Sequence, residues 1–291
     1  MQNIQIIALF LLLILNSFAL ASSEHFPEDR YYVPQVDTGY TQYNTPSILG
    51  QDKIVLTFDD GPHPSYTAKI LDILKKYQVK ATFFVLTHKF TNANMPILKR
   101  ILREGHIVAS HDHYHNRNDY VSRDEFEYNL ETSIKLIAKL YKDVGLTQPG
   151  YWYRFPYAQY GGASGYHHMN SILNISDKLF GDNCINFAFW DIDSGDWIPS
   201  LSSQQVLKNI KAHIMGGDYV TYRVRNGRIL PRIDRVDTAL NGGVILQHDI
   251  QKRTIKATEL LIKYALQNNI EIVSLDSLEE FSYAGKSCSL K

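Results

Sequence analysis

Acidic and imidazole side chains directly follow short apolar runs at several separate places in the chain. Asp59 and Asp60 follow one such run, and His111 and His115 follow another. Histidines four residues apart lie on one face of a helical turn, which suits two ligands on one metal ion. Two imidazoles and one carboxylate make a three-ligand site that leaves a position for water. A metal in such a site would acidify that water and polarise a carbonyl group.

Arg154 and His248 also follow apolar runs and complete a set that suits hydrolysis of an amide or an ester. A guanidinium beside Asp59 would keep that carboxylate ionised and able to accept a proton. A separate histidine could protonate the leaving group. Each signal is weak when taken alone, because surface histidines can follow a strand and an Asp-Asp pair before Gly-Pro also starts a turn.

The elements that must position these residues alternate between short apolar runs and stretches of helical periodicity. The runs are Ile54–Phe58, Ala81–Val85, His106–Ser110, Tyr151–Phe155, Asn186–Asp191, Gly243–Gln247 and Ile270–Leu275. Capping patterns at Ser122-x-x-Glu125 and Ser202-x-x-Gln205 predict two helix starts. The alternation predicts one α/β domain of parallel strands with crossover helices. In a barrel of parallel strands the strand ends share one face, so the polar residues should converge there.

Composition excludes several classes of protein. The chain has 291 residues, 30 basic and 30 acidic side chains and 44% hydrophobic residues, which is typical of a globular protein. Zero net charge removes the usual argument for a nucleic-acid partner. After the N-terminal segment, no stretch is apolar enough to span a membrane.

The N-terminal segment has the pattern of an export signal. Ile4–Leu15 is almost continuously apolar and Ala19-Leu20-Ala21 resembles a cleavage site, which predicts a signal peptide over residues 1–21 and an exported, periplasmic or extracellular protein. An uncleaved anchor remains an alternative, because Met1-Gln2-Asn3 carries no basic side chain. Residues 22–52 are predicted to form an arm that wraps a domain over 53–291.

Cys184 and Cys288 are the two cysteines of the chain. They would meet an oxidising compartment after export, so a disulfide and two free thiols both remain open.

Two stretches interrupt the alternation. Residues 157–183 are long and glycine-rich, and their His167-His168 pair is either a substrate contact or solvent-exposed. Asn226-Gly227 predicts a β-hairpin over residues 219–232. The four arginines of this hairpin could meet an anionic polymer or form a solvated face.

Five motifs occur in a fixed order. They are Thr57-Phe58-Asp59-Asp60-Gly61-Pro62, His111-Asp112-His113-Tyr114-His115, Arg154-Phe155-Pro156-Tyr157, Asp193-Ser194-Gly195-Asp196-Trp197 and Leu246-Gln247-His248. In these motifs the chain resembles the polysaccharide deacetylase family, the NodB-homology or carbohydrate esterase family 4 domain. The resemblance covers residues 53–280. It implies a distorted barrel of seven or eight β/α units, here with an N-terminal arm and an inserted hairpin.

The resemblance implies a metal site and a base. Asp60, His111 and His115 would bind the metal, which is zinc or else cobalt, nickel or manganese. Asp59 would be the general base, and Arg154 would pair with it.

The resemblance also implies an acid and a substrate pocket. His248 would be the general acid, with its imidazolium supported by Asp193. The backbone N–H of Tyr157 would contribute to an oxyanion hole. Trp197 and Leu246 would shape the apolar pocket for the acetyl methyl group.

Three positions depart from the family pattern. Asp112 stands where Ser or Thr is usual, and would act behind the ligands or attract the metal. Ala158 stands where Gly is usual, and would be strained if that position needs a positive φ. His113 lies two residues from each ligand, so we expect it not to bind the metal.

The implied activity is removal of N-acetyl groups from N-acetylglucosamine in an acetylated polysaccharide by attack of an activated water. For an exported member, peptidoglycan is the first substrate expected. A chitin or exopolysaccharide deacetylase and a xylan O-acetyl esterase are alternatives. A non-catalytic carbohydrate-binding relative is disfavoured because the motif residues are all present, and phosphoryl transfer because no Gly-rich Lys loop occurs.

Overall fold

The computed structural model describes residues 30–35, 39–44, 48–159, 167–225, 227–283 and 288–291. The predicted signal peptide at 1–21 lies outside these residues, and the glycine-rich segment is described only at its two ends.

Strands and helices alternate along the described chain. The strands are β1 (Arg30–Gln35), β2 (Gly39–Asn44), β3 (Lys53–Asp59), β4 (Thr82–Val85), β5 (Ile107–Ser110), β6 (Tyr151–Tyr153), β7 (Ile185–Phe187), β8 (Ile192–Asp193), β9 (Gly217–Arg225), β10 (Arg228–Val236), β11 (Gly243–His248) and β12 (Glu271–Ile272). The α-helices are α1 (Tyr66–Tyr77), α2 (Met95–Arg103), α3 (Arg123–Val144), α4 (His167–Phe180), α5 (Ser203–Met215) and α6 (Lys252–Gln267). Single 3₁₀ turns cover Thr87–Lys89, Asn118–Tyr120, Pro156–Ala158, Leu275–Ser277 and Glu279–Phe281.

Both predicted capping patterns begin a helix. The Ser122 hydroxyl accepts a hydrogen bond from the Glu125 N–H at the start of α3. Ser202 and Gln205 form a complete reciprocal capping box at the start of α5. In the part of the chain that is described, no helix combines the length and the apolar character needed to cross a bilayer.

The central sheet has the strand order β7-β6-β5-β4-β3-β11-β8, and β12 pairs with β3. Every pairing in this sheet is parallel. The helices cross between successive strands, so the predicted β/α architecture is confirmed as a curled, partly open barrel. All strands run in one direction, so their carboxyl ends form a single edge.

The strands separate two apolar layers. In β3, Leu56 and Phe58 pack in the layer beneath the helices, whereas Val55 belongs to an aromatic layer inside the curled sheet. Successive side chains of a strand point to opposite faces, so Thr57 and Asp59 share the inner face with Val55. The pleat of β3 therefore directs the Asp59 carboxylate into the concave side of the sheet.

Two antiparallel hairpins lie apart from the central sheet. β1 pairs with β2 inside the predicted arm, and β9 pairs with β10. The second hairpin confirms the prediction from Asn226-Gly227 and is longer than expected. Gly227 has a φ of +70°, the left-handed conformation that such a turn requires.

Cys184 and Cys288 form a disulfide with a Cα–Cα distance of 5.8 Å. This contact decides between the two alternatives left open by the sequence. It ties the C-terminal end of the chain to the start of β7.

Candidate active site

A cleft of about 610 Å³ opens at the carboxyl edge of the central sheet. The predicted residues Asp59, Asp60, His111, His115, Tyr157, Asp193, Trp197, Leu246 and His248 all line it. The tenth, Arg154, is fully buried beneath the cleft. The convergence expected from parallel strand ends is therefore present.

Asp60, His111 and His115 form the predicted donor triad. Their ligand atoms all lie within 4.8 Å of one another. The Asp60 Oδ1 atom is 3.1 Å from Nε2 of His115 and 3.4 Å from Nε2 of His111. Two imidazole nitrogens and a carboxylate oxygen directed at one point are a donor set that zinc and related divalent metals take, so the residues fit the implied metal.

The surroundings fix the orientation of this triad. His111 Nδ1 lies 2.9 Å from the Arg154 carbonyl oxygen, which leaves Nε2 for the metal. Burial raises the pKa of the Asp60 carboxyl, but hydrogen bonds from His111 and His115 outweigh it and hold that pKa well below its usual value. His113 Nδ1 lies 2.9 Å from the Thr87 hydroxyl, outside the triad, as expected.

Asp59 pairs with Arg154, as the resemblance implied. Nη1 of Arg154 lies 2.7 Å from the Asp59 Oδ1 atom. The same guanidinium donates to the carbonyl oxygens of Ala188 and Phe189 at 2.6 and 2.7 Å, so its position is fixed from several sides. The guanidinium thereby holds the Asp59 side chain in one orientation and leaves its Oδ2 atom on the cleft side of the ion pair.

The carboxylate that hydrogen-bonds His248 is Asp196, whereas the resemblance implied Asp193. His248 Nδ1 lies 2.7 Å from one Asp196 oxygen, and the His248 backbone N–H donates to the other at 2.7 Å. Burial lowers the pKa of His248, but the Asp196 carboxylate outweighs it and raises that pKa to about 10.

Asp193 is engaged elsewhere. It accepts hydrogen bonds from the Gly195 N–H at 2.8 Å and from the Trp197 indole N–H at 3.1 Å. Burial raises the pKa of this carboxyl. The Asp193-Ser194-Gly195 sequence is typical of an Asx turn, which was the available signal that this side chain serves its own loop.

The far wall of the cleft is formed by residues that the sequence did not single out. Tyr222, Val224 and Ile229 of the β9–β10 hairpin line it. The rings of Tyr222 and Trp197 are in edge-to-face contact at 4.6 Å. Arg117 also lines the cleft, with its guanidinium carbon 5.4 Å from the centroid of the Tyr157 ring.

His168 does not reach the cleft. It is fully buried, and its Nε2 lies 2.8 Å from the Asn118 carbonyl oxygen. The substrate-contact and solvent-exposed interpretations are therefore both wrong for this residue, while the side chain of His167 lies outside the described residues.

Comparison with known proteins identifies relatives of this chain. The family model for polysaccharide deacetylases matches residues 47–167. A peptidoglycan-N-acetylglucosamine deacetylase of Bacillus cereus is 29% identical over 189 residues, which are 64% of this chain and 61% of that protein. The peptidoglycan-N-acetylmuramic acid deacetylase PdaC of Bacillus subtilis is 29% identical over 231 residues, 79% of this chain. The chain spans only 39% of the length of PdaC.

Two solved structures share the architecture. The structure of PdaC aligns with a TM-score of 0.55 and 26% identity, covering 79% of this chain and 90% of that one. A family 4 acetyl xylan esterase of Clostridium thermocellum, in complex with a cobalt ion, aligns with a TM-score of 0.54 and 25% identity over 77% of this chain and 88% of that one. This chain belongs to the polysaccharide deacetylase family.

The two buried departures from the family pattern occupy strained backbone. Ala158 has a φ of +54°, so the strain expected at this usual glycine position is confirmed. Asp112 has a φ of +80°, and its carboxylate accepts the His113 N–H at 2.7 Å. Burial raises the pKa of Asp112 to about 7. Asp112 thus closes the turn between the two histidine ligands and is not part of the triad.

Proposed function

We propose that this protein is a metal-dependent deacetylase that removes N-acetyl groups from N-acetylglucosamine residues of peptidoglycan. One observation carries the proposal: the Asp60, His111 and His115 triad shares a cleft with the Asp59–Arg154 pair and with His248. The names of the B. cereus and B. subtilis relatives support the choice of polymer.

The base side of the reaction uses Asp59. When bound, the metal supplies a Lewis acid that polarises the acetyl carbonyl and acidifies a water molecule. Asp59 accepts a proton from the attacking water, and Arg154 holds the Asp59 carboxylate in place through its Oδ1 atom. Asp60, His111 and His115 would hold zinc, and cobalt, nickel and manganese suit the same donors.

The acid side uses His248. As the carbon–nitrogen bond breaks, His248 gives its proton to the amine nitrogen, and acetate and a free amine leave. With its pKa raised to about 10, this imidazole is charged at neutral pH. Asp196 holds the ring through Nδ1, so Nε2 is free to act. We assign the Tyr157 backbone N–H to the oxyanion, and Trp197 and Leu246 to the acetyl methyl group.

Hydrolysis of an O-acetyl ester is the second candidate. The likeness to the C. thermocellum acetyl xylan esterase favours it, since the same base and acid would serve an alcohol leaving group. Chitin or another exopolysaccharide is the alternative amide substrate.

We also propose that the protein is exported. The apolar run Ile4–Leu15 and the Ala19-Leu20-Ala21 pattern support this. The Cys184–Cys288 disulfide is typical of an oxidising compartment.

The test is acetate release by the zinc-loaded protein from peptidoglycan, chitin oligomers and acetylated xylan in parallel. Release that is fastest from peptidoglycan is expected. Release only from acetylated xylan would show that the substrate is an O-acetyl ester and not an N-acetyl amide. No release from any polymer, with zinc shown to be bound, would overturn the proposed activity.

A further inference from the structure

The 3₁₀ turn at Thr87–Lys89 lies between the two loops that carry the metal ligands. One loop follows β3 and holds Asp60, and the other follows β5 and holds His111 and His115. β4 stands between these two strands in the sheet, so the turn that follows β4 has a ligand loop on each side. None of the five motifs includes this turn.

Two donors from this segment bind the loop that holds Asp60. The Leu86 N–H donates to the carbonyl oxygen of Gly61 at 3.1 Å. The ammonium group of Lys89, which is half-buried, donates to the carbonyl oxygen of Asp60 at 2.6 Å. Both acceptors are main-chain groups, so these contacts fix the course of the loop itself.

Thr87 and His88 bind the loop between the two histidine ligands. The Thr87 N–H donates to the carbonyl oxygen of Asp112 at 3.2 Å, and the His88 N–H donates to that of His113 at 3.1 Å. The buried Thr87 hydroxyl also lies 2.9 Å from Nδ1 of His113. Each of the four residues 86–89 thus donates a hydrogen bond to one of the two ligand loops, and these four residues are named the loop clamp.

The loop clamp binds the carbonyl groups of two residues with left-handed backbone. Asp60 has a φ of +73° and Asp112 has a φ of +80°. This conformation costs about 1–2 kcal/mol at a residue that has a side chain, so it persists where surrounding contacts fix it. Lys89 supplies such a contact to Asp60, and Thr87 supplies one to Asp112. In each loop the clamp therefore holds the residue at which the chain turns beside a metal ligand.

The charge of Lys89 does not explain its place in the structure. Its ammonium stands beside a ligand of a divalent cation, and like charges repel. The Asp60 carboxylate faces His111 and His115, while Lys89 binds the carbonyl group of the same residue. Lys89 therefore opposes metal binding through its charge and favours it through the backbone that it holds. These two roles predict opposite effects on zinc affinity when the lysine is removed.

We propose that the loop clamp sets the spacing between Asp60 and the two histidine ligands, and that Lys89 is the positioning residue for Asp60. This inference rests on the metal site of the proposed function and adds to it residues that do not bind the metal. Contacts behind the ligands of a metal orient those ligands, and loss of one such contact weakens metal binding by about ten- to a hundredfold.

The test measures zinc affinity by competition between a chelator and the zinc-loaded protein. Lys89→Met removes the ammonium and keeps an unbranched side chain, whereas Lys89→Arg keeps a charged donor. Lys80→Met is the matched control, because Lys80 also donates to a main-chain carbonyl oxygen, that of Glu104, and does not line the cleft.

Lys89→Met should raise the zinc dissociation constant by about ten- to a hundredfold, and Lys89→Arg should recover part of that loss. Lys80→Met should stay within about twofold of the wild type, because its contact lies outside the metal site. Unchanged or tighter zinc binding by Lys89→Met would overturn the inference, since a lysine that acts through charge alone gives tighter binding. An equal loss in Lys80→Met, or a loss that Lys89→Arg does not reduce, would overturn it as well.

Zinc binding needs no substrate, so this inference and the proposed activity can fail separately. Weaker zinc binding by Lys89→Met supports the loop clamp even if the wild type releases no acetate from any polymer. Full zinc affinity in Lys89→Met, together with acetate release by the wild type, would overturn the loop clamp and leave the deacetylase activity in place.

Discussion

The two sides of the cleft are built in opposite ways. On the motif side, Asp59, Arg154 and His248 are nearly buried, and each is held by hydrogen bonds from a second element. On the hairpin side, Val224 and Ile229 are exposed. The ends of parallel strands thus position the reacting groups, and an antiparallel hairpin supplies an apolar wall beside them.

Desolvation explains the contrast. A buried charge without a partner costs several kcal/mol, so the groups that act in the cleft floor must be paired within the protein. The apolar side chains of the hairpin wall carry no charge and need no such partner. The comparison predicts that changes on the motif side abolish the reaction, whereas changes on the hairpin side alter which substrate is bound.

The largest effect is expected from His111→Ala. Removal of one donor of the triad should lose stoichiometric zinc and lower kcat by at least about a thousandfold. Metal analysis and acetate release on the same sample would check this. A variant that keeps both zinc and activity would show that the triad is not the metal site.

A smaller loss is expected from Asp196→Asn. Asp196 raises the pKa of His248 to about 10, so the acid stays protonated until high pH. Without that carboxylate the pKa falls, and the alkaline limb of the kcat profile should move down by more than about one pH unit. We expect kcat at its optimum to fall by about a hundredfold.

Asp193→Asn is the matched control for that change. It should move the alkaline limb of the kcat profile much less than Asp196→Asn does, because Asp193 hydrogen-bonds Gly195 and Trp197 and acts on His248 only through Coulomb attraction. A shift of the alkaline limb in the Asp193 variant and none in the Asp196 variant would reverse the assignment.

The ion pair between His248 and Asp196 also stabilises the fold. This contribution is complete below pH 6.5 and is lost as the pH rises toward about 10, the raised pKa of His248.

The hairpin wall should affect binding alone. Val224→Ser combined with Ile229→Ser should raise KM about three- to tenfold and keep kcat within twofold, because apolar contact to the sugar is lost in ground and transition states alike. Ile233→Ser is the control, since Ile233 is 74% exposed on the same hairpin but does not line the cleft. A large fall in kcat would place the hairpin in the chemistry and break the comparison.

The smallest effect is expected from Ala158→Gly. Glycine adopts the left-handed backbone conformation without strain, which should add about 1–2 kcal/mol to the free energy of unfolding. Loss of the buried methyl group of Ala158 should subtract about 0.8 kcal/mol from it. The free energy of unfolding should therefore rise by about 0.5 kcal/mol in urea denaturation. A fall of more than about 1 kcal/mol would show that packing of the methyl group outweighs the strain at φ +54°.

Much of the motif side could be predicted from the sequence. Asp60, His111 and His115 follow strands, and parallel strands bring their ends together whatever the loops do. The pairing of His248 could not be predicted in the same way. Asp193 and Asp196 lie in one turn, and which carboxylate faces His248 depends on the loop geometry, including the φ of +70° at Gly195.

On the hairpin side, the sequence predicts that a hairpin exists but not which of its residues line the cleft. Asn226-Gly227 indicates a hairpin, but the face that lines the cleft follows from how β9 and β10 dock beside Trp197. Burial of His168 and pairing of Cys184 with Cys288 likewise depend on distances between remote segments.

Zinc content and acetate release of Asp59→Asn, measured together, test the central claim most directly. Asp59 is the base and is not a member of the donor triad. The variant should therefore bind zinc as the wild type does and release acetate from peptidoglycan at less than about a thousandth of the wild-type rate. Loss of zinc, or acetate release near the wild-type rate, would contradict the division of Asp59 and Asp60 into base and ligand.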